Sequence, residues 1–341
     1  MNVTERAALD LGTELLEARG APAAAARLQA GVLVEAELKG HPSHGLQRLP
    51  RLLARIERGL ADPRAEGRGH WRAEALYEVD GENGLGPVVA MAALARLNER
   101  VAASGLALAA IRNSNHLGML AYYVEQVAAA GRIGVAISSS EALVHPFGGT
   151  RAMLGTNPIA IAVPAGARPL VVDLATSVVS MGKIHHYAAA GRPIPEGWAR
   201  DADGLPTTDA ASARHGAIAP FGEAKGYGLG IALELLVSAI AGSPPAPEVR
   251  GTLDANSVCN KGDILLVIEP SAAPGVAAGL AAYLDAVRAS PAADPVRPVR
   301  IPGDDASRRR ARALEDGFEI DSRLWGELNA LRIRAPSHLE G

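Results

Sequence analysis

"LALAAIRNSNHLGMLAYYVEQVAAAGRIGVAIS", residues 106–138, changes rhythm twice. It opens on an apolar run of strand character (106–111), passes through the polar turn Asn113-Ser114-Asn115-His116, and becomes helical over 119–131. It returns to a strand at "IGVAIS" (133–138). Strand, turn, helix and strand in succession define a layered α/β domain. In such domains the turns at the carboxyl ends of strands face ligands. His116 stands in one of them, with an ordinary pKa of about 6.5 that suits acid–base work. A turn histidine that only caps its neighbours is the plainer alternative.

Outward from this stretch the alternation continues. "PIAIAVP" (158–164), "PLVVDLA" (169–175) and "DILLVIE" (263–269) read as strands, and 87–104 and about 224–241 as helices. Before residue 70, helices are expected over 4–19, 22–38 and 43–59, followed by a linker, "GLADPRAEGRGH" (59–70). After about 285 an extended segment leads into a short terminal helix. No G-x-G-x-x-G follows any strand, so a dinucleotide, if one binds, does not use a Rossmann turn.

The chain has 341 residues, 48% of them apolar and 21% charged, with 34 Lys plus Arg against 37 Asp plus Glu. The net charge of −3 gives no electrostatic footprint for nucleic acid. Cys259 is the one cysteine, which excludes an internal disulfide and a multi-cysteine zinc site. The N-terminal segment has acids where a signal peptide would be basic. No apolar run reaching the ~18 residues of a membrane span is expected. A cytoplasmic setting, with no membrane partner, follows as the expectation.

Four more stretches carry candidate chemistry. In "HPSHGLQR" (41–48), His44 and Arg48 lie one helical turn apart, opposite the stripe Leu46, Leu49, Leu53, Ile56 and Leu60. Ser43 is placed to cap that helix. Arg48 can clamp a carboxylate with its planar fork, His44 beside it; the alternative is a polar surface shared with Arg51 and Arg55. In "PFGEAKGYGLGIALELL" (220–236), Lys225 opposes the helix dipole unless an anion intervenes, which suits a phosphate. Asp173, Thr176 and Ser177 follow a buried strand, and Thr156 and Asn157 precede another. These polar turns describe a cleft for a small molecule. No H-E-x-x-H or similar spacing among the histidines supports a metal site.

Taken together, Ser43-His44-Gly45 with Arg48 and Pro50, "NSNHLG" (113–118), "GTNP" (155–158), "DLATS" (173–177), "GW" with "DADGLPTTD" to Asp209, "KGYGL" (225–229), "NKGD" (260–263) and "PGD" (302–304) occur in an order that resembles the malate/L-lactate dehydrogenase family of the type-2 kind. That family also holds ureidoglycolate and sulfolactate dehydrogenases and the piperideine/pyrroline-2-carboxylate reductases. The resemblance implies a non-Rossmann, mixed-sheet α/β domain binding NAD or NADP (75–285), packed on a helical domain built from both chain ends (1–74 plus 286–341), usually in a homodimer. It implies hydride transfer between NAD(P) and the α-carbon of a small 2-hydroxy or 2-oxo acid such as malate, lactate or sulfolactate; the alternative is reduction of cyclic imino acids.

By motif, His116 resembles the proton donor/acceptor of the hydroxy-acid dehydrogenases, and Ser43 with His44 the pair used by the imine reductases. Arg48, Thr156 and Lys183 are implied to meet the substrate. Ser140, Asp173, Leu174, Ala175, Thr176, Lys225, Pro302, Gly303 and Asp304 are implied to hold the cofactor. Three departures stand out: Leu52 where a tyrosine is common, "GEAKG" in place of Gly-Gly before the lysine, and Lys183 where the imine reductases place an acid. The last favours hydroxy-acid chemistry.

Overall fold

The structure, a computed structural model, describes residues 1–333; the last eight residues of the expected helical domain lie outside them. In chain order the elements are β1 (Asn2–Val3), α1 (Glu5–Glu17), α2 (Ala23–Leu38), α3 (Leu49–Glu57), β2 (Arg68–Ala73), β3 (Leu76–Asp80), α4 (Gly86–Ser104), β4 (Leu106–Arg112), α5 (Ala121–Ala129), β5 (Ile133–Ser138), β6 (Ile159–Val163) and β7 (Leu170–Leu174). There follow α6 (Met181–Ala189), β8 (Ala199–Arg200), β9 (Pro206–Thr207), α7 (Ala210–Ala213), β10 (Ala217–Ile218), α8 (Ala224–Ala241), β11 (Gly262–Ile268), α9 (Val276–Arg288), α10 (Asp304–Asp316), β12 (Phe318–Glu319) and α11 (Ser322–Ile333).

Seven strands form one mixed sheet in the order β2-β3-β4-β11-β5-β6-β7. Only β3 and β4 pair in parallel; every other neighbour is antiparallel. The late strand β11 slots between β4 and β5, pairing Asp263 with Ile111 on one side and with Ser138 on the other. Its first residues therefore lie between the carboxyl ends of β4, which leads to His116, and β5, which leads to Ser140.

Alternation splits the two faces of this sheet. Ala109, Ile111, Leu265 and Val267 pack with Leu94, Leu97, Tyr123 and Val127 of α4 and α5. Ala110, Ile137 and Ile264 pack with Leu233, Val237 and Ala241 of α8. A second core joins the two chain ends: Leu11, Leu15, Leu33, Leu49 and Leu53 of α1–α3 meet Ala313, Phe318, Ile320 and Leu328, and β1 pairs with β12.

Several expectations change. The last three residues of the expected linker, 68–70, belong to β2, and the 74/75 boundary falls in the turn of the β2–β3 hairpin of the main sheet; β2 is exposed along most of its length, so no apolar alternation marks it. The segment expected to be extended after 285 instead holds the first residues of α10, from Asp304. Helix α8 spans 18 residues and, among the described residues, is long and apolar enough to cross a membrane by length and composition, contrary to the expectation of no such run. It carries Lys225 and Glu234 and packs one side on the sheet. Leu229, Ile231, Leu235 and Leu236 remain exposed on it.

Candidate active site

The segment after α2 does not run straight into a helix. Pro42, Gly45 and Pro50 interrupt it, giving two 3-10 turns, Pro42–His44 and Leu46–Arg48, before α3 begins at Leu49. Ser43 thus caps nothing. Its hydroxyl instead lies 3.1 Å from His44 Nδ1. The turn is seated on Glu37 of α2, whose carboxyl accepts the Leu46 N–H at 2.8 Å. A Cβ on Gly45 would stand 2.2 Å from that carboxyl oxygen, so any larger residue here would displace the Glu37 side chain. Burial pushes Glu37 up from 4.5 to about 7, against the lowering effect of the Leu46 bond.

This turn faces the one after β4 across a cavity of about 610 Å³, within the usual range for small-molecule sites. The rings of His44 and His116 are 5.8 Å apart at centroid. Arg48 donates from Nε to Ser43 O at 2.9 Å, which leaves its two terminal nitrogens without a partner among the described residues. Both imidazoles are held neutral. Desolvation first, then Arg48 and His41, lowers His44 to about 3; desolvation, Arg48, His44 and Lys261 keep His116 well below its ordinary value. Desolvation also lowers Arg48, to about 10.

The tautomer of His116 follows from its neighbour. Gly118 N–H donates to His116 Nδ1 at 2.8 Å; a backbone amide can only donate, so Nε2 carries the ring proton. Ser43 Oγ, by contrast, can donate to or accept from His44 Nδ1, so that ring is free to exist in either state.

Of the residues singled out by sequence, the cavity brings together Ser43, His44, Arg48, His116, Ser140, Thr156, Asp173, Leu174, Ala175, Pro302 and Gly303. Ser140 Oγ accepts the Thr156 N–H at 3.0 Å. Asp173 is committed to the Ala121 N–H at 2.7 Å, at the start of α5. Four residues lie elsewhere. Thr176 is buried and donates to Thr156 O at 2.9 Å. Lys183 is exposed on α6, its ammonium over the Trp198 ring at 5.1 Å. Lys225 is exposed in the first turn of α8. Asp304 is paired with Arg288 at 2.9 Å and lines a separate, smaller pocket.

Two residues of the site escaped the sequence reading. Arg55, taken as part of a polar surface, is 4% exposed. It donates to Asn115 Oδ1 at 3.1 Å and to the carbonyls of Asp254 and Ser257 at 2.8 and 3.0 Å. It so ties α3 to the His116 turn and to the loop that carries Leu253. Lys261 is 1% exposed in the cavity wall. Its signal was present: Lys261 and Asp263 extend the row of Leu265 and Val267, so alternation puts them on the α5 face.

A dinucleotide has a surface to lie on. Strand β7 is an edge of the sheet, and Val171–Ala175 line the cavity, so backbone groups there are open to a ligand. Gly303, at φ +91°, approaches so closely that a Cβ would stand 3.0 Å from Val171 O. With the hydroxyls of Ser140 and Thr156 nearby, these residues fit a nicotinamide cofactor. Among the described residues no three His, Cys, Asp or Glu side chains gather as a metal site.

Known proteins resemble this chain along its whole length. The malate/L-lactate dehydrogenase family matches residues 3–329. A dehydrogenase structure from Sinorhizobium meliloti is 57% identical, superposes with a TM-score of 0.95, and covers 97% of this chain and 98% of its own. The L-sulfolactate dehydrogenase of Methanocaldococcus jannaschii is 36% identical over 334 residues, 96% of each chain. The (2R)-3-sulfolactate dehydrogenase (NADP(+)) of Chromohalobacter salexigens is 41% identical over 71% of this chain and 72% of its own. The chain belongs to the malate/L-lactate dehydrogenase family, and it is a hydroxy-acid dehydrogenase.

Proposed function

We propose that the protein interconverts a small 2-hydroxy acid and its 2-oxo acid, of the sulfolactate, malate or lactate kind, with NAD or NADP. One observation carries this reading: the open fork of Arg48 and the His44–His116 pair, rings 5.8 Å apart, share a single cavity beside the open edge of β7. The bound nicotinamide supplies the hydride acceptor or donor. Arg48 holds the substrate carboxylate through its two free nitrogens.

The two histidines divide the remaining work. His44 Nδ1–H donates to Ser43 Oγ, so its Nε2 can take the hydroxyl proton in oxidation and return it in reduction. His116, whose Nδ1 is occupied by Gly118, stays neutral and donates Nε2–H to the same oxygen. This departs from the family resemblance, which gives His116 the proton. Since Arg48 is one cause of the low pKa of His44, a carboxylate on Arg48 raises His44 toward the range in which it exchanges protons.

The assembly is a homodimer that covers Leu229, Ile231, Leu235 and Leu236 of α8, a helix that caps a sheet and does not span a bilayer; the setting is cytoplasmic. The test is a panel of 2-oxo acids and cyclic imino acids with NADH and NADPH, followed by absorbance. Oxidation of cofactor by the oxo acids is expected. Turnover of the imino acids alone would overturn the reading.

A further inference from the structure

Beneath the histidine pair lies an ion pair that the mechanism above leaves unused. Lys261, just before β11, and Asp263, its second residue, are 1% and 0% exposed, and their side chains are bonded to each other. Asp263 also accepts from Ser138 Oγ at 2.6 Å, so its carboxylate is fixed from two strands. Burying such a pair costs several kcal/mol per ion before its attraction is counted, and an apolar pair would continue the row of Leu265 and Val267 without that cost.

The placement is informative. The strand order puts Lys261 between the turn bearing His116 and the segment Ser138–Ser140, at the wall of the same cavity. An ammonium has three N–H donors. One goes to Asp263; the other two have no acceptor among the described residues. The result is a desolvated ammonium with unspent donors in the wall of the cavity that also holds Arg48, His44 and His116.

We propose that Lys261 is a further catalytic residue, which donates to the C2 oxygen of the substrate and holds positive charge against it as that oxygen becomes an alkoxide. In reduction, hydride adds to C2, the carbonyl π pair moves onto oxygen beside Lys261 and the His116 Nε2–H, and the proton from His44 completes the hydroxyl. In oxidation each movement reverses. Lys261 is neither consumed nor deprotonated. This inference rests on the preceding functional reading.

The test compares wild type, Lys261→Met and Lys261→Ala, the last with and without ethylammonium. Losing one fixed donor at a developing oxyanion typically lowers kcat by about 10²–10³-fold. That loss is expected in Lys261→Met, with KM for the oxo acid and Kd for the cofactor changed less than about threefold, as befits charge that matters chiefly in the transition state. Ethylammonium is expected to restore kcat of Lys261→Ala at least several-fold, whereas tetramethylammonium, which has no N–H, restores none.

A folded Lys261→Met variant with kcat near wild type, a loss confined to KM or cofactor binding, or no amine rescue overturns the proposal. Should an unpaired Asp263 unfold the single variants, Lys261→Met/Asp263→Leu removes both charges and is read by the same kcat and KM criteria. If wild type itself turns over no 2-oxo or 2-hydroxy acid with either cofactor, it is the functional reading that fails.

Discussion

Glu37 should make the fold sensitive to pH in a direction opposite to that of most acids. Its carboxyl supports the 3-10 turns that carry His44 and Arg48, and burial moves it from 4.5 to about 7. Below pH 4.5 it is protonated both folded and unfolded, and ionisation costs nothing. Between 4.5 and about 7 the unfolded chain releases the proton while the folded chain keeps it, so stability falls as pH rises. At about 1.4 kcal/mol per unit, the full loss above pH 7 is about 3 kcal/mol.

Glu37→Gln keeps an oxygen to accept the Leu46 N–H and cannot ionise, so it lacks this dependence. Urea unfolding of both proteins, at one protein concentration from pH 4.5 to 8, isolates the effect from every other titrating group. The stability of wild type minus that of the variant is expected to drop by about 3 kcal/mol across the range. A difference that stays constant with pH would refute the reasoning, because the carboxyl would then ionise freely in the fold.

Three further changes test other parts of the structure. Arg48→Lys replaces the planar fork by a point charge, and a rise of about 10–100-fold in KM for the oxo acid is expected in steady-state kinetics; an unchanged KM removes the clamp. Arg55→Met strands Asn115 Oδ1 and the carbonyls of Asp254, Ser257 and Leu60, so urea unfolding should show a loss of about 2–4 kcal/mol, with kcat falling as the His116 turn loosens. Glu223 sits at φ +55°, ψ −118° at the start of α8, a conformation that suits glycine, and Glu223→Gly should stabilise by about 1 kcal/mol; a loss instead would mean the side chain holds something of value.

The periodic elements were legible because burial wrote them into the sequence. Strands β4–β7 and β11 and helices α1, α2, α4 and α8 fall within two residues of the apolar runs that announce them, since each buries one face or both. Strand β2 is mostly exposed, and β8–β10 are only two residues each, too short to leave a pattern. The turn holding Ser43, His44 and Arg48 was read as a helix because its Leu stripe continues into α3; the breaks at Gly45 and Pro50 decide otherwise, and Gly45 is fixed by a carboxyl on another helix. The burial of Arg55 depends on Asn115, Asp254 and Ser257, which no local window contains. Lys183, Lys225 and Asp304 were implied by motif alone, and motif does not say which way a helix turns a side chain.

The central position of β11 has a consequence for how this chain is made. Strands β4 and β5 leave a ribosome long before Gly262 does, yet neither has its inner neighbour until residues 262–268 arrive. Until then a nascent chain carries two gaping seams of unpaired amides and carbonyls, the kind of surface that invites pairing with other chains. Closure waits on contacts far apart along the polymer, which slows folding. Synthesis that stalls before Gly262 should therefore yield aggregates needing chaperone protection, whereas interruption after Ile268 leaves the sheet complete.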